Sequence, residues 1–178
     1  MTAVRRSSTP TDDVVELVDG EAELWAGRFA AVHALLRQLL GPGALIEHIG
    51  STAVPGLPAK DTVDVLVGVQ PAEITPAVQI LEASGFVVEG SRDGHAWLSQ
   101  LRAERREAIV HVVEAKGRRW ERRLAFRDLL RRDPQAREEY LAAKRAAAEA
   151  HSSWDAYGSA KAATVQRLLA SAGDDQSR

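Results

Sequence analysis

The chain has 178 residues, with 23 Lys plus Arg against 25 Asp plus Glu, so its formal net charge at pH 7 is −2. A balance so near zero excludes bulk electrostatic adhesion to nucleic acid or anionic membrane, and any polyanion site has to be local. Hydrophobic residues at 45% and charged residues at 27% exclude global disorder, and the lack of cysteine excludes disulfides, a thiolate nucleophile and sulfur-ligated zinc.

Residues 1–13 are small, polar and aperiodic and read as a disordered tail, as do residues 173–178. Arg5-Arg6 is followed by a polar stretch, so no secretory or twin-arginine leader is expected, and no apolar run approaches the roughly 20 residues of a membrane span. A cytoplasmic location is the expectation. From Glu21 to Leu40 the apolar residues keep the spacing of an amphipathic helix, which Gly41-Pro42-Gly43 stops. Segments 44–49 and 62–69 read as strands on either side of a turn-rich loop, GSTAVPGLPAKD. Residues 72–84 suit a helix, and FVVEG, HAWLSQL and AIVHVVEA are strand-like. Beyond Gly117 the composition turns to Ala, Leu, Arg and Glu, and breaks at Asp133-Pro134 and around His151 divide it into helices over 118–132, 135–150 and 155–172. The pattern is α/β (α+β): one mixed sheet with flanking helices, in a single domain over 14–172 whose part from 118 is helical.

The densest run of unusual residues is the loop and the strand after it. Gly50 allows close backbone approach, Ser51 and Thr52 offer hydroxyls, and Lys60 offers a charge, which together make a cradle for phosphate oxygens. It is not a P-loop, because the glycine before the lysine and the hydroxyl after it are missing, nor a nucleophile elbow. Asp64 lies inside the apolar run VDVLVGV, where a carboxylate costs free energy unless it is paired, hydrogen-bonded or metal-bound. It reads equally as a ligand of a divalent cation such as Mg2+ or as a strand-end residue paired with Lys60.

The string HIGSTAVPGLPAKDTVDVLVGV resembles the signature of the GrpB family, and the resemblance continues through HVVE, LAFRDLLR, DPQAREEYLAAK and the final Tyr and Lys, over about residues 14–170. It implies a nucleotidyltransferase-like fold, a Gly50-Ser51 motif that binds nucleotide phosphates, and Asp64 at a metal-binding position. The chain departs from the usual nucleotidyltransferase pattern at Thr62, two residues before Asp64, where a second acid is common. Asp61 is acidic, but strand alternation points it away from Asp64. Family members often carry His-x-His on the later strand, where this chain has Ile109 and His111.

His111 shares a strand face with Ile109 and Val113, where an imidazole is either a satisfied core residue or, near Asp64, a metal ligand or base. His48 carries the same ambiguity one step before the loop, while His33, His95 and His151 are given no role. Seven arginines fall between 118 and 132. Arg127, in the family-like segment, is the candidate for phosphate recognition, and the others read as a solvated face. Tyr157 and Lys161 are spaced i, i+4 and match family positions in the last helix, where they line the cleft or lock the tail. Tyr140 and Lys144 repeat the spacing, which favours plain helix-surface packing.

The leading expectation is a magnesium-dependent nucleotidyltransferase acting on a nucleoside triphosphate and an unknown small acceptor. The alternative is a catalytically reduced module that binds a nucleotide or a CoA-like phosphate. Catalysis is assigned to Asp64 and His111, and phosphate binding to His48, Gly50, Ser51, Thr52, Lys60, Arg127, Tyr157 and Lys161. Membrane partners are excluded, nucleic acid ranks far behind a phosphorylated small molecule, and the oligomeric state is not readable.

Overall fold

The structure, a computed structural model, describes residues 16–19, 21–150 and 154–175. The expected tail over 1–13 lies outside the described residues, as do residues 176–178 of the expected C-terminal tail.

Helix α1 (Ala22–Leu40) buries Trp25, Val32 and Leu36 and ends at Gly41, whose φ of 75° only glycine adopts cheaply. Arg37 then donates from Nη1 to the carbonyls of Pro42 and Ala44, each at 3.0 Å, folding the chain back into strand β1 (Leu45–Ile49). A single 3-10 turn, Ser51–Ala53, starts the loop. The loop leads into β2 (Val63–Val69), and a second 3-10 turn, Pro71–Glu73, leads into helix α2 (Ile74–Ala83). Strands β3 (Val87–Arg92), β4 (His95–Arg102) and β5 (Arg105–Glu114) complete a five-stranded sheet of order β1-β2-β5-β4-β3. Its neighbours are antiparallel except for the central pair β2 and β5, which run parallel.

Alternation along β2 divides the molecule. Val63, Val65, Val67 and Val69 face α1 and α2 and join Leu36, Leu81, Leu98, Val110 and Val112 in the main core. Leu66 faces the other way, packed with Ile49 and Val113 against Trp120 of helix α3 (Arg118–Arg132). Gly68 permits that approach, because a Cβ there would meet the Trp120 ring at 2.7 Å.

Helix α4 (Pro134–Ala150) begins at Asp133, whose Oδ1 accepts from the backbone N–H groups of Gln135 and Ala136. Proline follows in the first helical position, where its missing N–H costs nothing. The helix expected over 155–172 is two, α5 (Trp154–Ala160) and α6 (Ala162–Asp175), with a turn at Lys161. The α5 sequence WDAYGSA holds Gly and Ser, weak helix formers, so nothing in it carries the helix across the turn. Residues 173–175, expected in the tail, complete α6. Val54 and Leu57 of the loop insert among Leu129, Leu130, Ala136, Tyr140 and Leu168 of these helices. No helix among the described residues is long and apolar enough to cross a membrane.

Candidate functional site

The loop is held from several sides. Gly50 has φ 72°, and a Cβ there would run into the Asp64 carboxylate, so glycine is what lets the backbone lie over this side chain. The Ser51 hydroxyl bonds that of Tyr140 on α4, and Arg131 donates from Nε to the Ala53 carbonyl at 2.9 Å. At the far end, the backbone of Ala59 pairs with that of Val18 in an isolated antiparallel bridge. Asp61 faces away, as alternation requires, and takes Trp25 Nε1 and the Arg28 guanidinium on α1.

Asp64 lines a cleft of about 1020 Å3 between the sheet and the helices α3–α6. Burial opposes its ionisation, but the neighbouring His111, Lys60 and Lys161 outweigh burial and hold its carboxyl below the ordinary carboxylate range. The parallel register sets Asp64 beside Ile109 and Leu66 beside His111, which leaves His111 Nε2 3.8 Å from Asp64 Oδ1. Behind His111 stands His95 of β4, whose Nε2 is 3.1 Å from His111 Nδ1. Burial and then the charge of Arg123 push the His95 value down to about 3, so its ring is neutral at neutral pH. This buried residue, 2% exposed, was given no role from the sequence.

On the other side of Asp64 the two Tyr-x-x-x-Lys pairs converge. Lys161 Nζ lies 3.8 Å from the Tyr157 ring centroid, and Lys60 Nζ lies 5.1 Å from the same centroid. Lys144 is 1% exposed and donates to the Pro58 carbonyl. Burial drives Lys60 and Lys144 down to about 7 and Lys161 to about 8, while the charge of Asp64 pulls each back up. Burial likewise pushes Tyr140 up to about 12 and raises Tyr157. The Tyr157 hydroxyl is buried and has no hydrogen-bond partner among the described residues. The reading of Tyr140 and Lys144 as surface packing is therefore corrected. Both are buried, because α4 lies between the loop and the C-terminal helices.

Three expected phosphate ligands stand elsewhere. His48 Nε2 is 3.0 Å from Thr52 Oγ1, and its ring stacks on Phe29 at 4.6 Å, so these two side chains brace the loop from the α1 side. Burial takes His48 down to about 4, which keeps it neutral. Arg127 binds Glu47, Asp128 and the His48 carbonyl, and so ties α3 to β1 without lining the cleft. The cleft is lined instead by Arg92, Arg118, Arg119, Arg122 and Arg123, together with Gly50, Asp64, His111, Tyr140 and Lys161.

The donor set was tested against a divalent cation. Thr62, two residues before Asp64, donates its hydroxyl to the Arg106 carbonyl at 3.0 Å, and Leu66, two residues after, is fully buried. No group of three or more His, Asp or Glu able to hold a metal occurs among the described residues. One carboxylate among lysine ammonium groups, beside an unpartnered hydroxyl, fits an oxyanion and does not fit a protein-built magnesium cage.

Comparison with known proteins agrees with this geometry at the level of fold. A family model described as GrpB protein matches residues 14–171. A UPF0157 protein of Deinococcus radiodurans is 41% identical over 167 residues, covering 94% of this chain and 87% of the relative. Among solved structures, GrpB from Enterococcus faecalis superposes with a TM-score of 0.77 at 30% identity, over 92% of this chain and 100% of that one. The Cid1 poly(U) polymerase, in its Mg 3′-dATP-bound structure, superposes with a TM-score of 0.53 at 14% identity, over 82% of this chain and 49% of Cid1, a likeness of fold alone. The chain belongs to the GrpB family, and its fold is nucleotidyltransferase-like.

Proposed function

We propose that this GrpB-family chain binds the phosphates of a nucleoside triphosphate, or of a similarly phosphorylated CoA-like small molecule, in the cleft over Asp64. Gly50 and Lys161, which line the cleft, form the phosphate end, backed by Ser51 next to Gly50 and by Tyr157 and Lys60 beside Lys161. The observation that carries the reading is the convergence of Lys60, Lys144 and Lys161 on one carboxylate, with the Tyr157 hydroxyl beside them left unpartnered among the described residues. Keeping ammonium groups so close is costly, and a bound polyanion removes that cost. Asp64 and His111 stand where an acid–base pair is needed if the ligand reacts.

The second reading is nucleotidyl transfer with magnesium, favoured by the place of Asp64 on its strand. In it an acceptor oxygen bonds to the α-phosphorus, pyrophosphate leaves with the bridging oxygen, and the hydroxyl proton passes to Asp64 or His111.

Calorimetry of ATP, CTP, GTP and UTP, each with magnesium and then with excess chelator, separates the two. The binding reading expects a nucleotide to bind in both conditions and Lys161→Gln to weaken it at least about tenfold, a change of about 1.4 kcal/mol. It also expects affinity to fall from pH 7 to pH 9, as Lys60 and Lys161 lose their protons. Binding that needs both magnesium and Asp64, tested with Asp64→Asn, favours the transferase. Failure of all four nucleotides, of coenzyme A and of inorganic pyrophosphate ends the phosphate reading.

A further inference from the structure

We infer that the arginine end of the cleft is a second anion site, which takes a phosphoryl group separate from the one held by the lysines. The inference extends the phosphate reading but stands on different residues. Helix α3 places Arg118, Arg119, Arg122 and Arg123 in its first two turns, and all four line the cleft with Arg92 of β3.

Two arginines in the second half of this helix are paired with carboxylates. Arg127 and Arg131, in the second half, have Asp128 within ion-pair distance, and Arg127 has Glu47 as well. None of the five cleft arginines forms an ion pair with a described residue, although Asp93 and Glu114 line the same cleft. Arg119 donates from Nη2 to the Asp93 carbonyl at 3.1 Å, and Arg123 donates from Nη1 to the Arg119 carbonyl at 3.3 Å. Carbonyls supply no full negative charge, and the carboxylate whose field reaches Arg123, Asp64, is shared with the lysines.

His95 sharpens the point. Arg92 Nε lies 3.4 Å from its Nδ1, and Arg123 Nη2 lies 3.4 Å from its Nε2. A guanidinium can only donate, and a neutral imidazole has one accepting nitrogen. Whichever tautomer His95 adopts, one arginine faces an N–H and keeps an unused donor. Burial and the nearby charges of Arg92 and Arg119 lower Arg123 itself to about 10. A phosphoryl group supplies oxygens for the unused donors and charge for the cluster, and planar guanidinium forks match its geometry.

The contacts also order the cleft. Arg123 touches His95, His95 touches His111, and His111 faces Asp64, whose charge reaches the lysines. The acid–base pair thus stands between two cationic ends. The second phosphoryl group belongs either to the far end of one long ligand or to a separate phosphorylated partner in the reaction.

Titration with inorganic pyrophosphate at low salt tests the inference. The parent should bind two equivalents. Arg119→Gln/Arg123→Gln should lose one of them, and Lys161→Gln should lose the other. Thermal melting checks that each variant is folded, and if the double variant does not fold, the exposed single change Arg122→Gln must weaken the same equivalent at least about threefold. A parent that binds one equivalent, or an arginine variant that keeps both, overturns the second site. So does an arginine variant that loses binding to an RNA oligomer while keeping both equivalents, since that marks a nucleic-acid face. If Lys161→Gln keeps both equivalents while the arginine variant loses one, the lysine reading fails and the second site stands. Adenosine 2′,5′-bisphosphate that displaces both equivalents places the two groups on one ligand, and displacement of one places them on separate molecules.

Discussion

The two faces of the sheet are made by the same strands and differ at alternate residues. On the α1 and α2 side, β2 presents Val63, Val65, Val67 and Val69 to a dry core. On the other side it presents Asp64, Leu66 and Gly68, and next to Leu66 the packing gives way to a cleft. The dry face is held by area removed from water, and each fully buried aliphatic side chain contributes about 1.5–3 kcal/mol. The cleft face keeps charged groups in each other's company, which costs stability and leaves chemistry available.

The sharpest way to break the contrast is to exchange the two kinds of residue. Val65→Asp puts an unpaired carboxylate into the dry core and should cost more than about 3 kcal/mol, so that no folded protein accumulates. Asp64→Val, one residue away, should leave the urea midpoint equal or higher, because its face of the strand opens on the cleft. A folded Val65→Asp protein would show that the faces are less different than described.

Leu66→Ala comes next. Leu66 is fully buried under Trp120, and its loss should cost about 2–5 kcal/mol in urea unfolding. A cost under about 1 kcal/mol would mean that the cleft face is loosely packed even beside Trp120.

The buried lysines bring pH into the contrast. Lys60 and Lys144 stand near 7 in the folded chain against an ordinary 10.5, so above pH 7 the unfolded chain holds protons that the folded chain has released. Stability should therefore rise from pH 7 toward pH 10 and be lost as pH falls through about 7, while phosphate affinity runs the opposite way. Lys144→Met should flatten the rise, and equal slopes for parent and variant between pH 7 and pH 9 would remove the assignment.

Smaller again is Arg127→Gln, which cuts the tie from α3 to β1. A loss of about 1–2 kcal/mol is expected, with pyrophosphate affinity unchanged within about twofold. A large fall in affinity would restore Arg127 to the binding site. Asp61→Asn, at the half-exposed pair with Arg28, should move stability by less than about 1 kcal/mol.

What the sequence disclosed followed from local physics. The α1 stripe, its Gly41 stop, the valine alternation of β2 and the Asp133-Pro134 start of α4 are periodicities and caps, and the structure has them within a residue or two. Asp64 was legible because a carboxylate in an apolar strand needs a reason. Lys144 was not, because its burial is created by Pro58, which is 86 residues away in the chain. The repeated Tyr-x-x-x-Lys spacing was the available signal, and it read as ordinary helix surface. His95 was missed because its partners arrive from β5 and α3, while Arg127 misled because a guanidinium suits Glu47 as well as it suits phosphate.

The parallel pairing of β2 with β5 has a consequence in time. Asp64 and His111 meet only after the chain between them has folded back, and Lys144 and Lys161 join them from helices made later still. Contacts so distant in sequence pay their loop-closure entropy before they return anything, which makes them slow to form. During synthesis from the N-terminus, the valine face can begin to assemble while the cleft has neither floor nor wall. On the proposed phosphate reading, the lysine end of the cleft is complete only once Lys161 has left the ribosome.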